Sequence, residues 1–438
     1  MSLAPRLLAL MGLGVTAAAV AAYRRTPDPV PVAPFPEDFK WGVALAGFQS
    51  EGSSPDSNWR RYVEEGAPMI RTPFGDGPQW LTRFEEDIAL AADLGVNTFR
   101  FSVEWARLET APGVLDEQGW AFYDAVMDTL DRHGITAMIT LDHWVYPGWV
   151  VDRGRWQWDG VVDAWMEHAE RVVRRYAGRG ASWITINEPQ YYLDCEKKNL
   201  HLTRREQRTM QARLLEAHRL AYALIHRLDP GALVSSNLAC VPAPLHLVTD
   251  AWFFDQCGDT LDFLGIDYYY GLSLDNLTAR HDNVGEYWRI TMQPESLLYM
   301  LRIYHKKRPD LPIWIVEHGM PTDNEKPRFD GLTRAEHLRD HIYYLQRAAD
   351  EGIPIIGYNY WTLTDNYEWG SYRPRFGLYS VDVLGDPHLT RRPTDGVDAY
   401  REIIAGRGVR ADYEPVCRPG FGIFSAPWET TFGRLRSR

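Results

Sequence analysis

Two rhythms of apolar and polar positions alternate along most of this chain. In the first, apolar side chains recur every three or four residues, as in "RFEEDIALAADLG", where Phe84, Ile88 and Ala91 share one helical face and Gly95 ends the segment. In the second, β-branched and aromatic residues run almost without a break, as in "VNTFRFS" directly after it. The pair repeats as "FYDAVMDTLDRHG", stopping at Gly134, and "ITAMITLDHW". "WGVALAGFQ" near the start and "SWITINE", "ALVSSN", "DFLGIDYY", "PIWIVE" and "PIIGYNYW" further on bring the candidate strands to eight.

Near-continuous apolar runs mark strands buried on both faces, the condition of a parallel sheet covered by helices. Eight of them, roughly 30 to 55 residues apart, predict an α/β fold of one domain, a closed (β/α)8 TIM barrel over residues 39–410. Three segments lie outside it. Residues 1–25 contain an uncharged apolar run, 7–22, set between Arg6 and the pair Arg24 and Arg25, and read as a signal peptide or membrane anchor. Arginines on both sides leave its orientation open. The expectation is a protein membrane-anchored or exported through this segment. Residues 26–38 form a Pro-rich linker, and residues 411–438 a C-terminal tail whose aromatic residues are expected to pack on the barrel's outside.

Composition narrows the function classes. With 45% hydrophobic and 13% aromatic residues in 438, the chain buries a large core and is not disordered. A net charge of −12 argues against a nucleic-acid partner. The densest basic cluster, Arg171, Arg174, Arg175 and Arg179, reads as the solvated face of a helix. Cys195, Cys240, Cys257 and Cys417 are widely spaced and read as free thiols, with one or two disulfides left open. No metal or organic cofactor is expected, the histidines being read as lacking an H-x-x-x-H or H-x-x-E-H arrangement and the carboxylates as unclustered.

In such barrels the chemistry sits at the carboxyl ends of the strands. Gln49 is expected to end the first strand, Arg100 lies within the second, and His143 and Trp144 follow the third. Asn187 and Glu188 end the fourth, Tyr269 the sixth, Glu317 the seventh and Trp361 the eighth. Glu188 and Glu317 can face each other across the barrel mouth. Two carboxyl groups flanking a space are what glycoside hydrolysis requires, one to protonate the leaving oxygen and one to attack or to activate water. Each residue alone has a plainer reading: Glu317 as the partner of Arg100 in a structural ion pair, His143 and Trp361 as core.

Taken together, "FKWGVALAGFQSEGS", "RFSVEWARL", "TLDHW", "WITINEP", "DFLGIDYYYG", "WIVEHG" and "YWTLTDNYEWGSYRPRFGLYSVD" resemble, in order, the motifs of the family 1 glycoside hydrolases of the β-glucosidase and β-galactosidase type. The resemblance spans about residues 35–405, and its carboxyl half looks especially like the plant galactolipid galactosyltransferase branch. It implies Glu188 as general acid/base and Glu317 as nucleophile, in a retaining mechanism without cofactor. It implies Arg100 and Tyr269 as groups that orient the nucleophile. Gln49, His143, Trp144, Asn187, Trp361, Glu368, Trp369 and Phe376 are the implied substrate-binding set. Glu368 stands where relatives acting on 6-phosphorylated sugars carry serine and lysine nearby, which suggests an unphosphorylated glycone. Three positions depart from the family pattern: His318 and Asp267 where asparagine is usual, and Val145 where aspartate is usual. A cationic His318 would favour an ionised Glu317, and an ionised Asp267 would oppose it. The expected function is therefore a retaining β-glycosidase acting on a small-molecule or lipid-linked β-glycoside. The alternatives are a membrane-associated glycolipid transglycosylase and a non-catalytic glycan-binding relative.

Overall fold

Each of the eight apolar runs becomes barrel strand, and the fifth is divided in two. The computed structural model describes residues 30–240, 246–270, 278, 281 and 285–417, so the expectations for residues 1–25 and for most of the tail fall outside the described residues. The strands are β1 (Lys40–Ala44), β2 (Thr98–Ser102), β3 (Thr136–Asp142), β4 (Ser182–Ile186), β5 (Val234–Ser235), β6 (Asn237–Ala239), β7 (Leu264–Asp267), β8 (Ile313–Glu317) and β9 (Ile355–Trp361). They pair in parallel in the order β5-β4-β3-β2-β1-β9-β8-β7-β6. The two halves of the fifth run are thus the two ends of one sheet, and the ring closes through Ser236. Hydroxyls bridge the break: Ser235 Oγ donates to the Phe263 carbonyl and Ser236 Oγ to the Ile186 carbonyl, each at 2.6 Å.

The two helices that the periodicity predicts form at Trp80–Leu94 and Glu117–Arg132, and six more of twelve residues or longer follow them among the described residues. In chain order they are α1 (Trp80–Leu94), α2 (Glu117–Arg132), α3 (Val161–Tyr176), α4 (Pro189–Leu200), α5 (Arg204–Leu228), α6 (Pro294–Lys307), α7 (Arg334–Asp350) and α8 (Asp395–Gly406). Gly95 ends α1 with φ 85°, a left-handed conformation that glycine adopts without strain. Thr203 with Glu206, and Thr333 with Glu336, close capping boxes at the starts of α5 and α7. Among the described residues no helix is long and apolar enough to cross a membrane.

Side chains alternate between two cores. The outward set, including Phe99, Ile139, Trp183 and Ile315, packs against the helices. A smaller cluster of Met138, Ile184, Phe263, Trp314 and Val316 fills the ring. Met138 is the register partner of Arg100, so the face that plugs the barrel below carries Arg100 at its mouth. Outside the barrel, Asp87 on α1 is held by Arg391 at 2.8 and 3.0 Å, a buried pair joining the first helix to the segment before α8. Asp340 on α7 accepts from the Tyr413 hydroxyl at 2.7 Å, which seats the described start of the tail on the barrel's outer wall.

The basic cluster on α3 is charge-balanced. Arg171 meets Glu167, Arg174 meets Glu170, Arg175 meets Asp124, and Arg179 meets Asp128 and Asp131. All four cysteines are free thiols, three of them buried.

Candidate active site

The barrel mouth is built around one guanidinium. Arg100, fully buried, forms an ion pair with Glu317 Oε1 and donates to Asn187 Oδ1 at 2.6 Å and to Thr140 Oγ1 at 3.0 Å. Tyr269 donates its hydroxyl to the other Glu317 oxygen at 2.6 Å. Both oxygens of that carboxylate are therefore fixed, one on each side. The strand that delivers it then has to pass under Trp361. A Cβ at Gly319 would lie 1.9 Å from the Trp361 carbonyl oxygen, so glycine is required two residues after Glu317.

Glu188 arrives from the opposite wall. It follows β4 in a left-handed conformation, φ 36°, with Pro189 opening α4 behind it. Such a backbone is uncommon outside glycine and, when held, clusters at functional sites. Glu188, Asp267 and Glu317 each contribute a carboxyl oxygen to a triangle whose members all lie within 4.8 Å of one another. Burial first, and the charge of Glu317 second, push the Glu188 carboxyl well above the usual carboxylate range. The same two causes raise Asp267. Both carboxyls are thereby biased toward the protonated form, while Glu317 has the guanidinium.

The rings form a continuous wall above this triangle. Trp144 stacks on Trp369 at 4.3 Å, and its indole N–H donates to the Asn187 carbonyl at 2.7 Å. His143 lies 5.8 Å from Trp361 and 5.7 Å from Trp369, kept neutral by burial and by Arg100. Phe376 meets Tyr269 edge-on at 5.6 Å, and the Trp361 indole donates to Glu368 at 3.2 Å. Burial pushes Glu368 up to about 8. Among the described residues, Asn187 Nδ2 at the cavity wall has no hydrogen-bond partner. Unpartnered buried polar atoms facing a cavity are what a hydroxyl-rich ligand satisfies.

The cavity measures about 380 Å³. Of the expected residues all but Gln49 and Arg100 line it, Arg100 standing behind Glu317. Gln49 corrects the expected strand end. The strand stops at Ala44 and Gln49 rides a short helix, Gly47–Ser50, because Gly47 N donates to Ser102 Oγ at 2.8 Å and a Cβ there would strike Glu104. Reading the sequence did not single out Asn237, whose amide bridges Asn187 and Asp267, although it ends the run "ALVSSN". Tyr191, Trp252 and Tyr287, which extend the cavity outward, carried no local signal at all.

The three departures resolve differently. Val145 is buried in the core and does not line the cavity. Asp267 sits inside the carboxyl triangle, so the reading of the carboxylates as unclustered is corrected by tertiary contact. His318 points away from Glu317 toward α7, where burial and His341 hold it well below the ordinary histidine value. It is neutral and exerts no cationic pull on Glu317. The reading that no H-x-x-x-H arrangement occurs is corrected by the sequence itself, since His337 and His341 are four residues apart and stand one turn apart on α7 beside it.

Comparison with known proteins now decides the lineage, because the profile of glycosyl hydrolase family 1 matches residues 32–227 and 255–409. The chain belongs to glycosyl hydrolase family 1. The match takes in every strand of the barrel except the split fifth. This family 1 enzyme is 25% identical over 447 residues to β-glucosidase A of Thermotoga maritima, covering 86% of the chain and 98% of the relative. It is 25% identical over 379 residues to the chloroplastic galactolipid galactosyltransferase SFR2 of Arabidopsis thaliana, covering 75% of the chain and 58% of that protein. Among solved structures, the β-glucosidase from Thermotoga maritima in complex with castanospermine superposes with a TM-score of 0.75 at 24% identity, over 86% of this chain and all of that one. The fold is thereby the (β/α)8 barrel of the family, and the protein is a glycoside hydrolase.

Proposed function

We propose that this family 1 enzyme is a retaining β-glycosidase that cleaves unphosphorylated β-glucosides or β-galactosides. The observation that carries the reading is that a Glu188 carboxyl oxygen comes within 4.8 Å of one of Glu317, with no gap between them wide enough for the water an inverting enzyme holds. Inverting enzymes need carboxyls about 6.5 to 9.5 Å apart to admit a water, whereas retaining ones work at about 5 to 5.5 Å. A Glu317 oxygen attacks the anomeric carbon, and the bond to the leaving oxygen breaks as Glu188 delivers its proton to that oxygen. Glu188, now a carboxylate, takes a proton from the incoming water, whose oxygen forms the new bond to the anomeric carbon and releases Glu317. Asn187 Nδ2 is the donor placed for the sugar 2-hydroxyl, a contact that strengthens as positive charge builds on the ring. No lysine or arginine lines the cavity among the described residues, and Glu368 does, which favours a glycone without phosphate.

A second reading has its own support. The relative SFR2 is a galactosyltransferase by name, and the outer cavity wall of Tyr191, Trp252 and Tyr287 suits an apolar aglycone. In that reading a sugar hydroxyl of a glycolipid replaces water, and the apolar run of residues 7–22 holds the enzyme at a membrane. Incubation with 2-deoxy-2-fluoro β-glucosyl and β-galactosyl fluorides, followed by peptide mass spectrometry, tests both. A label on the peptide containing Glu317 is expected, and the sugar that labels faster names the glycone. A label elsewhere overturns the proposal. Products from galactolipid vesicles then separate the readings: free sugar alone means hydrolysis, and oligogalactolipid means transfer.

A further inference from the structure

Behind the nucleophile, between the barrel wall and α7, three histidines share one buried space. His318, His337 and His341 have no solvent exposure. Their ring centroids lie 4.6, 4.2 and 4.2 Å apart, and one ring nitrogen from each falls within 4.8 Å of the others. His337 and His341, four residues apart on α7, present to the same side by helical geometry.

The hydrogen bonds of these rings are those of metal ligands. His341 Nδ1 lies 2.8 Å from the His337 carbonyl oxygen. A carbonyl only accepts, so Nδ1 carries the proton and Nε2 keeps its lone pair. His318 Nδ1 is engaged by the Tyr358 hydroxyl at 2.6 Å. That leaves His318 Nε2, His341 Nε2 and both nitrogens of His337 without a partner among the described residues. Each unpaired buried polar atom costs about 1–3 kcal/mol, and native interiors hold few of them. A second ring nitrogen tied to an oxygen, with the first one bare and facing inward, is the arrangement that fixes a histidine for a metal.

We propose that His318, His337 and His341 bind a transition-metal dication of the Zn²⁺ class, a structural ion that ties the end of the nucleophile's strand to α7. Three imidazole nitrogens with no thiolate or carboxylate in the group suit Zn²⁺, Co²⁺, Ni²⁺ or Cu²⁺ rather than Mg²⁺ or Ca²⁺. Tetrahedral Zn–N bonds of about 2.0–2.1 Å place ligand nitrogens roughly 3.3 Å apart, so the rings draw together on binding. His337, with both nitrogens uncommitted, is the ring that turns to meet the ion. Arg328 and Arg334 lie on its side and oppose added positive charge, and Asp330 neutralises the first at 2.8 and 3.1 Å. The His318 carbonyl accepts from Trp361 N at 2.8 Å, so an ion on His318 also steadies the floor of the sugar site.

The test uses the full chain, produced in zinc-supplemented medium and purified without chelator. Elemental analysis is expected to find about one zinc per chain, lost in H337Q and H341Q variants whose circular dichroism matches the parent. After chelation, titration with Co²⁺ is expected to give the visible bands of a tetrahedral nitrogen-ligated ion and to raise Tm. Stoichiometric metal missing from the parent, together with no Co²⁺ bands, overturns the proposal and leaves an aromatic packing cluster. Bands that persist unchanged in both variants place the ion elsewhere and overturn it equally. Should neither variant fold, the parent titration alone decides.

Discussion

In the proposed retaining cycle the proton on Glu188 depends on the charge of Glu317, and that cycle removes the charge. Once Glu317 is esterified by the sugar it is neutral, and the second cause that holds the Glu188 carboxyl up disappears. Two unit charges at the 4.8 Å upper bound on that separation, in an effective dielectric of about 20, interact by about 3.5 kcal/mol. Arg100 screens part of this, and a downward move of the Glu188 carboxyl on trapping is the expected result. The fall turns an acid into a base in time for the second step. It is measured by ¹³C NMR of carboxyl-labelled enzyme, free and after trapping with a 2-fluoro sugar, across a pH titration. Asp267 shares the same charge neighbours, so the readout is the pair of apparent values, and both should move down. A Glu188 value that stays put or rises on trapping would refute the electrostatic account, because it would mean burial alone sets the proton.

Other outcomes follow from single contacts. Tyr269→Phe removes a 2.6 Å hydrogen bond to a carboxylate, worth about 1.5–3 kcal/mol, and should lower kcat/KM roughly 10- to 150-fold with the fold intact by circular dichroism. Glu188→Ala should cost about 10²–10⁴-fold on alkyl glycosides and far less on dinitrophenyl glycosides, whose leaving group needs no proton; equal losses on both would remove Glu188 from the acid role. Asp87→Ala leaves Arg391 buried without its partner, and should cost about 3–5 kcal/mol, read as a drop in the denaturation midpoint with kcat preserved in the folded fraction.

Strand and helix periodicity are local properties, and they were sufficient for the barrel. Buried strands such as "PIWIVE" must be apolar at consecutive positions because both faces are covered, and that constraint is written in a six-residue window. The residues at the strand ends were legible for a related reason. A carboxylate such as Glu317 at the end of a buried run needs a partner or a task, and the barrel rule says where it points. Gln49 was placed one element too early, since the strand's end depends on Glu104 crowding Gly47, a contact 57 positions away in sequence.

What the chain alone determined is thus the layout: eight strands, the faces they bury, and two carboxyl groups delivered to one mouth. What only the tertiary structure decided is how those groups stand to each other. Asp267 joins Glu188 and Glu317 in one triangle, the fifth run divides at Ser236 to close the ring, and His318 turns from Glu317 toward His337 and His341. Sequence pattern reports which side of an element is buried. Charge, proton and metal chemistry depend on distances between elements far apart in the chain, and those are fixed only when the barrel closes.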